Sequence, residues 1–333
     1  MRARRFRDRV LALPDQPRLL CGKAATLPPP NANRRGIIAV VLATACFAGN
    51  DAVVKIVARD APLGEVLFVR GLMTCLLVGS VLTAFGHFRS LRMARHPLVL
   101  ARSGMEALAA LMFTTALLHM PLASLSTIVL ISPLIITALS VLIYGEVVGW
   151  RRWTAISIGF AGTLFVVKPT PQAFDAWALL GVACAFVSAG RDLMTRRLPA
   201  GIPSIVVSFM AAVSVTLAGA LLGLTETWRP FSPREIGLLA LGAVFLAGGN
   251  FLVVLAYRDV EVSVIAPFRY SLLLWAGIAG YLVFGELPDR WAGIGATLIV
   301  GSGLYALHRE AVRAREARRR LAPKAVAPKP IAP

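Results

Sequence analysis

The chain has 333 residues, of which 57% are hydrophobic and 16% charged. Soluble domains run near about one-quarter charged residues, so this balance excludes a water-soluble globular protein and makes lipid the main solvent. Thirty-five Lys and Arg against 17 Asp and Glu give a net charge of +18. Most of that excess lies in two tails, residues 1–35 and 309–333, so it does not mark a nucleic-acid surface.

Residues 1–35 read as a disordered basic cytoplasmic tail, closed by Pro28-Pro29-Pro30 and lacking the apolar core of a signal peptide. Ten apolar runs follow, at 36–58, 63–85, 98–118, 122–144, 153–168, 175–194, 204–224, 235–256, 262–284 and 291–308. A bilayer crossing takes about 20 such residues. The predicted fold is therefore an all-α membrane protein of ten transmembrane helices joined by short connectors. Residues 309–333 form a second basic cytoplasmic tail suited to anionic head groups. Cys21, Cys46, Cys75 and Cys184 show neither disulfide nor zinc spacing and read as packing residues.

With the N-terminus inside, 25 of the 35 basic residues fall on the cytoplasmic side, five on the other side and five within spans. The positive-inside rule thus predicts a multi-pass protein of the inner membrane with both termini cytoplasmic. Trp153, Trp177, Trp228 and Trp291 fall at span ends, as an aromatic belt requires, whereas Trp275 falls mid-span.

A shift of 140–141 residues matches the chain to itself. Gly49-Asn50-Asp51 returns as Gly190-Arg191-Asp192, and Tyr144-Gly145-Glu146 as Phe284-Gly285-Glu286. Each of the latter closes the fourth span of its half and precedes a Trp that opens the fifth. The expected units are five-helix repeats at 36–168 and 175–308. Five is odd, so the second unit enters the membrane inverted, the architecture of many secondary transporters.

These features, with Ile131-Ser132-Pro133-Leu134 and Ala266-Pro267-Phe268-Arg269-Tyr270, resemble the EamA-type drug/metabolite transporter superfamily over residues 36–308. The second motif is similar to that of the branch containing S-adenosylmethionine-uptake and riboflavin-uptake carriers. The resemblance implies a carrier of a small organic metabolite.

An ionisable group near the bilayer centre costs roughly 2.5–3.5 kcal/mol, so such groups should face one another or a cavity. At 1.5 Å per residue, Asp51 lies about 22 Å into span 1 and Arg70 about 10 Å into span 2, both in the outer third. Arg102, Glu106, Arg191, Asp192, Asn250 and Arg269 fall in the inner half. Two readings stand. One is an outer Asp51–Arg70 contact exchanging with an inner Glu106/Asp192–Arg269 contact as access alternates; the other is a set of permanent pairs fixing span register, for which Arg102–Glu106 at i,i+4 is the best case. Lys55 is expected to snorkel outward, and Glu146 and Glu286 to bond helix ends. Tyr270 and Trp275 are candidate walls of a pocket for a planar cargo. Pro133 and Pro267 are candidate hinges. Small residues at Ala155, Gly159 and Thr163 and at Gly293, Thr297 and Gly301 make spans 5 and 10 candidate scaffold helices or a homodimer contact.

The four histidines lack metal spacing and no Walker-type loop is present, so no cofactor, metal or nucleotide is expected. The leading function is secondary transport of a small organic metabolite by alternating access, with proton coupling through Asp51, Glu106 or Asp192. A membrane-embedded enzyme or lipid-modifying protein and a facilitative channel are the alternatives.

Overall fold

The computed structural model describes residues 32–144, 150–167, 176–199, 201–256 and 266–321. Eleven α-helices run through them: α1 (Ala32–Val57), α2 (Leu63–Ala84), α3 (Pro97–His119), α4 (Leu122–Val129), α5 (Ser132–Tyr144), α6 (Trp150–Val167), α7 (Ala176–Arg196), α8 (Ser204–Gly223), α9 (Pro233–Ala256), α10 (Ser271–Phe284) and α11 (Arg290–Leu321). Short 3-10 segments span His87–Arg95 and Ala266–Tyr270. Among the described residues, eight helical stretches are long and apolar enough to cross a membrane; the Leu122–Leu139 stretch comprises α4 and the start of α5, and Trp153–Val167 is a shorter apolar helix. α1 begins four residues ahead of the predicted run, and α11 carries the last apolar run on into the basic tail without a break. Glu146 lies outside the described residues.

The fourth apolar run is split where proline dictates. Pro133 has no N–H to continue the helix, and the Ser132 hydroxyl donates instead to the Val129 carbonyl at 2.6 Å. Within the ninth run, the 3-10 turn Ala266–Tyr270 that contains Pro267 precedes α10.

α1 packs on α9 and α10, α2 on α8 and α9, α3 on α7 and α8, α4 on α7 and α10, α5 on α7, and α6 on α11. Pairing the halves in order, α1 with α7, α2 with α8, α3 with α9, α4–α5 with α10 and α6 with α11, sends each of these contacts onto itself or onto another in the same set. α2 and α8 approach closely through glycine, since a Cβ on Gly219 would sit 2.7 Å from the Phe68 nitrogen. α6 and α11 meet likewise at Gly162, where a Cβ would lie 2.9 Å from the Gly295 carbonyl. The Ala155, Gly159 and Thr163 face of α6 is therefore consumed inside the chain, while Gly293, Thr297 and Gly301 of α11 face outward.

Helix ends gather at two faces. At one, Arg229 Nε donates to the Asp60 carbonyl at 2.9 Å and Gly64 N to Glu226 at 2.8 Å. There too the rings of His119 and Trp177 stack at 3.7 Å and those of Phe165 and Trp291 at 5.9 Å. At the other, Leu82, Ala94 and Val206 form a buried cluster. Leu76, Phe85, Leu221, Leu224, Phe251 and Leu282 project outward as an apolar surface that water would not tolerate.

Candidate functional site

Two polar clusters lie within the helices, and the repeat relates them. In the first, Asn50 and Asp51 follow one another on α1 and Arg70 faces them from α2. Arg70 is buried, and its Nη1 donates to Asn50 Oδ1 at 2.8 Å. Asn50 Nδ2 in turn donates to Asp51 Oδ1 at 2.9 Å. Gly242 of α9 packs beside the pair: a Cβ there would lie at ordinary contact distance, 3.7 Å from Asn50 Oδ1 and 3.8 Å from Arg70 Cδ. The expected direct Asp51–Arg70 contact is therefore corrected. Asn50 stands between them because its amide has both a donor and an acceptor and can serve both charges at once. Arg70 Nε is buried without a partner among the described residues.

The second cluster joins α3 and α7. Arg191 Nη1 bonds Glu106 Oε1 at 2.8 Å while its Nη2 lies 2.9 Å from Asp192 Oδ1. Arg102 completes the set, with Nη2 3.2 Å from Glu106 Oε2 and Nε donating to Thr195 Oγ1 at 3.1 Å. Two guanidinium groups thus share two carboxylates, in the fork geometry that suits arginine. The expected Glu106/Asp192–Arg269 contact is not formed. Arg269 sits exposed on the 3-10 turn, and Arg191, one residue from Asp192, is near enough to hold both acids.

A third ionic group closes one end of the bundle. Lys55 does not snorkel: it is 3% exposed, and its Nζ donates to Glu286 Oε1 at 2.6 Å and to the Met120 carbonyl at 2.9 Å. Gly285 ends α10 at φ 67°, and the Glu286 N–H returns to the Gly280 carbonyl at 3.0 Å. This is the left-handed C-terminal turn that glycine permits. The turn presents Glu286 Oε2 to the Leu122 N–H at 3.1 Å, so the carboxylate caps α4 as well. Glu286 does bond a helix end, but of another helix.

The aromatic pair does not form a shared wall. The buried Tyr270 ring sets its hydroxyl against Gly303 of α11. Trp275 instead turns its indole N–H to the Val41 carbonyl of α1 at 3.0 Å. Asn250 bonds the Leu246 carbonyl of its own helix at 2.9 Å. Sequence reasoning missed Asn50 and the pairing of Lys55 with Glu286. The signal for Asn50 was in the repeat, which sets it opposite Arg191. Among the described residues no group of three or more His, Cys, Asp or Glu is placed to hold a metal ion.

Long apolar helices with charges sequestered between them define a multi-pass membrane protein. The model of the EamA-like transporter family matches twice in tandem, over residues 34–168 and 175–307, and the chain belongs to that family. The pseudopaline exporter CntI of Pseudomonas aeruginosa is 29% identical over 80% of this chain and 94% of its own length. An S-adenosylmethionine uptake transporter of Rickettsia bellii is 25% identical over 83% of this chain and 94% of its own. A riboflavin transporter of Vibrio cholerae is 32% identical over 56% of this chain and 63% of its own. One solved crystal structure shares the fold, with a TM-score of 0.58 at 19% identity over 85% of this chain and 97% of the other. The chain is accordingly one of a family of transporters and not an enzyme.

Proposed function

We propose that the protein is a secondary transporter that moves a small organic metabolite across the inner membrane by alternating access, with ten crossings arranged as two inverted five-helix repeats at 36–168 and 175–308. The observation that carries this reading is the helix packing, in which exchanging the halves reproduces the principal helix contacts. Two halves able to adopt each other's shape give two conformations of similar energy, one open to each side. The double family match supports it further. So do the end contacts, which join Asp60 to Arg229 and His119 to Trp177, as ten alternating crossings require. Both termini are cytoplasmic in this reading, on the 25-to-5 distribution of basic residues. A homodimer contact would fall on the outward small-residue face of α11.

A nucleotide-independent carrier draws on an ion or substrate gradient, and a carboxyl group whose cationic neighbour moves away changes its proton affinity. Asp51, Glu106 and Asp192 are the groups suited to proton coupling. The test is uptake by proteoliposomes of a radiolabelled metabolite panel containing riboflavin and S-adenosylmethionine, with and without a proton gradient. Saturable flux with counterflow is expected. Non-saturating flux would identify a channel, and absence of flux across the panel in both orientations would count against transport of these cargo types.

A further inference from the structure

The two clusters sit at matched positions of the repeat but are completed differently. Of the acids within α1, α3 and α7, Asp192 has Arg191 at 2.9 Å and Glu106 has Arg191 at 2.8 Å and Arg102 at 3.2 Å. Asp51, the repeat counterpart of Asp192, has no such partner among the described residues. Its one hydrogen bond comes from the neutral amide of Asn50, which occupies the position of Arg191. Oδ2 receives no protein donor there, although protein surrounds the group and part of its surface stays accessible. Arg70 acts on it only across Asn50. The other ionisable groups nearby are the Cys184 thiol of α7 and the Arg102, Glu106, Arg191 and Asp192 set on α3 and α7, whose carboxylates are paired with its own arginines; residues 236–256 of α9 and 271–284 of α10 carry no charge and offer Asn250, Ser271 and Trp275. A carboxylate at such depth calls for a cation, and the chain does not supply one in contact with it.

We propose that Asp51 is the seat of a positive charge brought from outside the chain, by a proton or by an ammonium-type group of the cargo, in the place that Arg191 takes beside Asp192. This rests on the transporter reading and names the residue of that site that meets the moving charge. Asn50 is a positioning residue: its amide orients Oδ1 and joins Asp51 to Arg70, leaving Oδ2 to the incoming cation. The two repeats thereby divide the work, one cluster closed by its own arginine and the other completed once per cycle.

Difference infrared spectroscopy of the purified protein in liposomes reads the carboxyl stretch directly and needs no transported substrate. A pH step should give a protonation band that Asp51→Asn removes. Asn50→Arg should remove it as well by supplying the missing guanidinium, and Arg191→Asn should add a second band from Asp192. Methylammonium at constant pH distinguishes the sources: loss of the band assigns the seat to an organic cation, and a band that answers to pH alone assigns it to the proton. A pH response unchanged in Asp51→Asn, or intact in folded Asn50→Arg, overturns the proposal. If Asn50→Arg does not fold, Arg191→Asn decides, and the absence of an added band is the overturning result. A negative uptake panel with the Asp51 band present would instead count against the transport reading alone.

Discussion

Cys75 Sγ and Thr216 Oγ1 lie 3.5 Å apart, and the residues are separated by 141 positions, the shift that matches the two halves of the sequence. In the proposed inverted-repeat arrangement, a contact between equivalent residues marks where the axis would pass. The same relation appears at a distance from the axis, where a Cβ on Gly49 would lie 2.9 Å from Phe245 and one on Gly190 2.7 Å from Met105. Gly49 corresponds to Gly190 and Met105 to Phe245, so both halves seat the matching side chain on the matching glycine.

The contact at the axis can be fixed covalently. With Cys21, Cys46 and Cys184 replaced by alanine, Thr216→Cys should form an intramolecular disulfide with Cys75 under mild oxidation, seen as a reducible shift in electrophoretic mobility. No disulfide in the folded protein would show that α2 and α8 do not meet at this register.

Gly303 and Gly301 of α11 differ by two residues and should differ sharply in tolerance. A Cβ on Gly303 would overlap the Tyr270 hydroxyl, whereas one on Gly301 meets nothing within 4 Å. Gly303→Ala is expected to lose about 1–3 kcal/mol of stability through forced overpacking. Gly301→Ala should be neutral or better, because alanine is the stronger helix former. Thermal unfolding of the two variants in the same detergent checks the contrast.

The Lys55–Glu286 pair ties the end of α1 to the end of α10 and the start of α4. Glu286→Gln strands the buried Lys55 and should destabilise by about 3–5 kcal/mol, whereas Lys55→Met leaves Glu286 partly exposed with Arg59 at 3.9 Å and should cost less. The double variant should cost much less than the sum, since neither charge is then left alone. Additive losses in denaturant unfolding would mean the two residues act independently.

The apolar helices were readable from run length, although eight stretches rather than ten reach crossing length among the described residues, and the duplication that the two family matches reflect was readable from the aromatic-Gly-Glu motif, because both leave a one-dimensional trace. The motif also has a local cause: Gly285 supplies the left-handed turn and Glu286 uses it. What could not be read was which charge meets which. Depth along a helix axis placed Asp51 near Arg70 and Asp192 near Arg269, but a pairing depends on rotation about each axis and on side-chain reach, neither of which depth records. Hence Asn50 came between the first pair, Arg191 displaced Arg269 from the second, and Lys55 turned inward to Glu286. Tyr270 and Trp275, five residues apart, fell to different neighbouring helices for the same reason.

The difference between Asp51 and Asp192 also sets the size of a stability effect. Asp192→Asn removes a carboxylate held by Arg191 through both Nε at 3.0 Å and Nη2 at 2.9 Å, so Arg191 loses a charged partner and keeps only Glu106. Loss of a hydrogen bond to a charged group costs about 1.5–3 kcal/mol, and Asp192→Asn should fall in that range. Asp51→Asn removes a half-buried charge that has no cation in contact, and the new amide oxygen still accepts from Asn50. It also takes from the buried Arg70 the anion that attracts it across Asn50, so relieved desolvation and lost attraction oppose each other. This variant should therefore lose clearly less than Asp192→Asn, remaining within about 1 kcal/mol of the wild type. Parallel unfolding of the two variants in denaturant provides the measurement. A loss at Asp51 as large as that at Asp192 would show that Asp51 already has its partner within the chain.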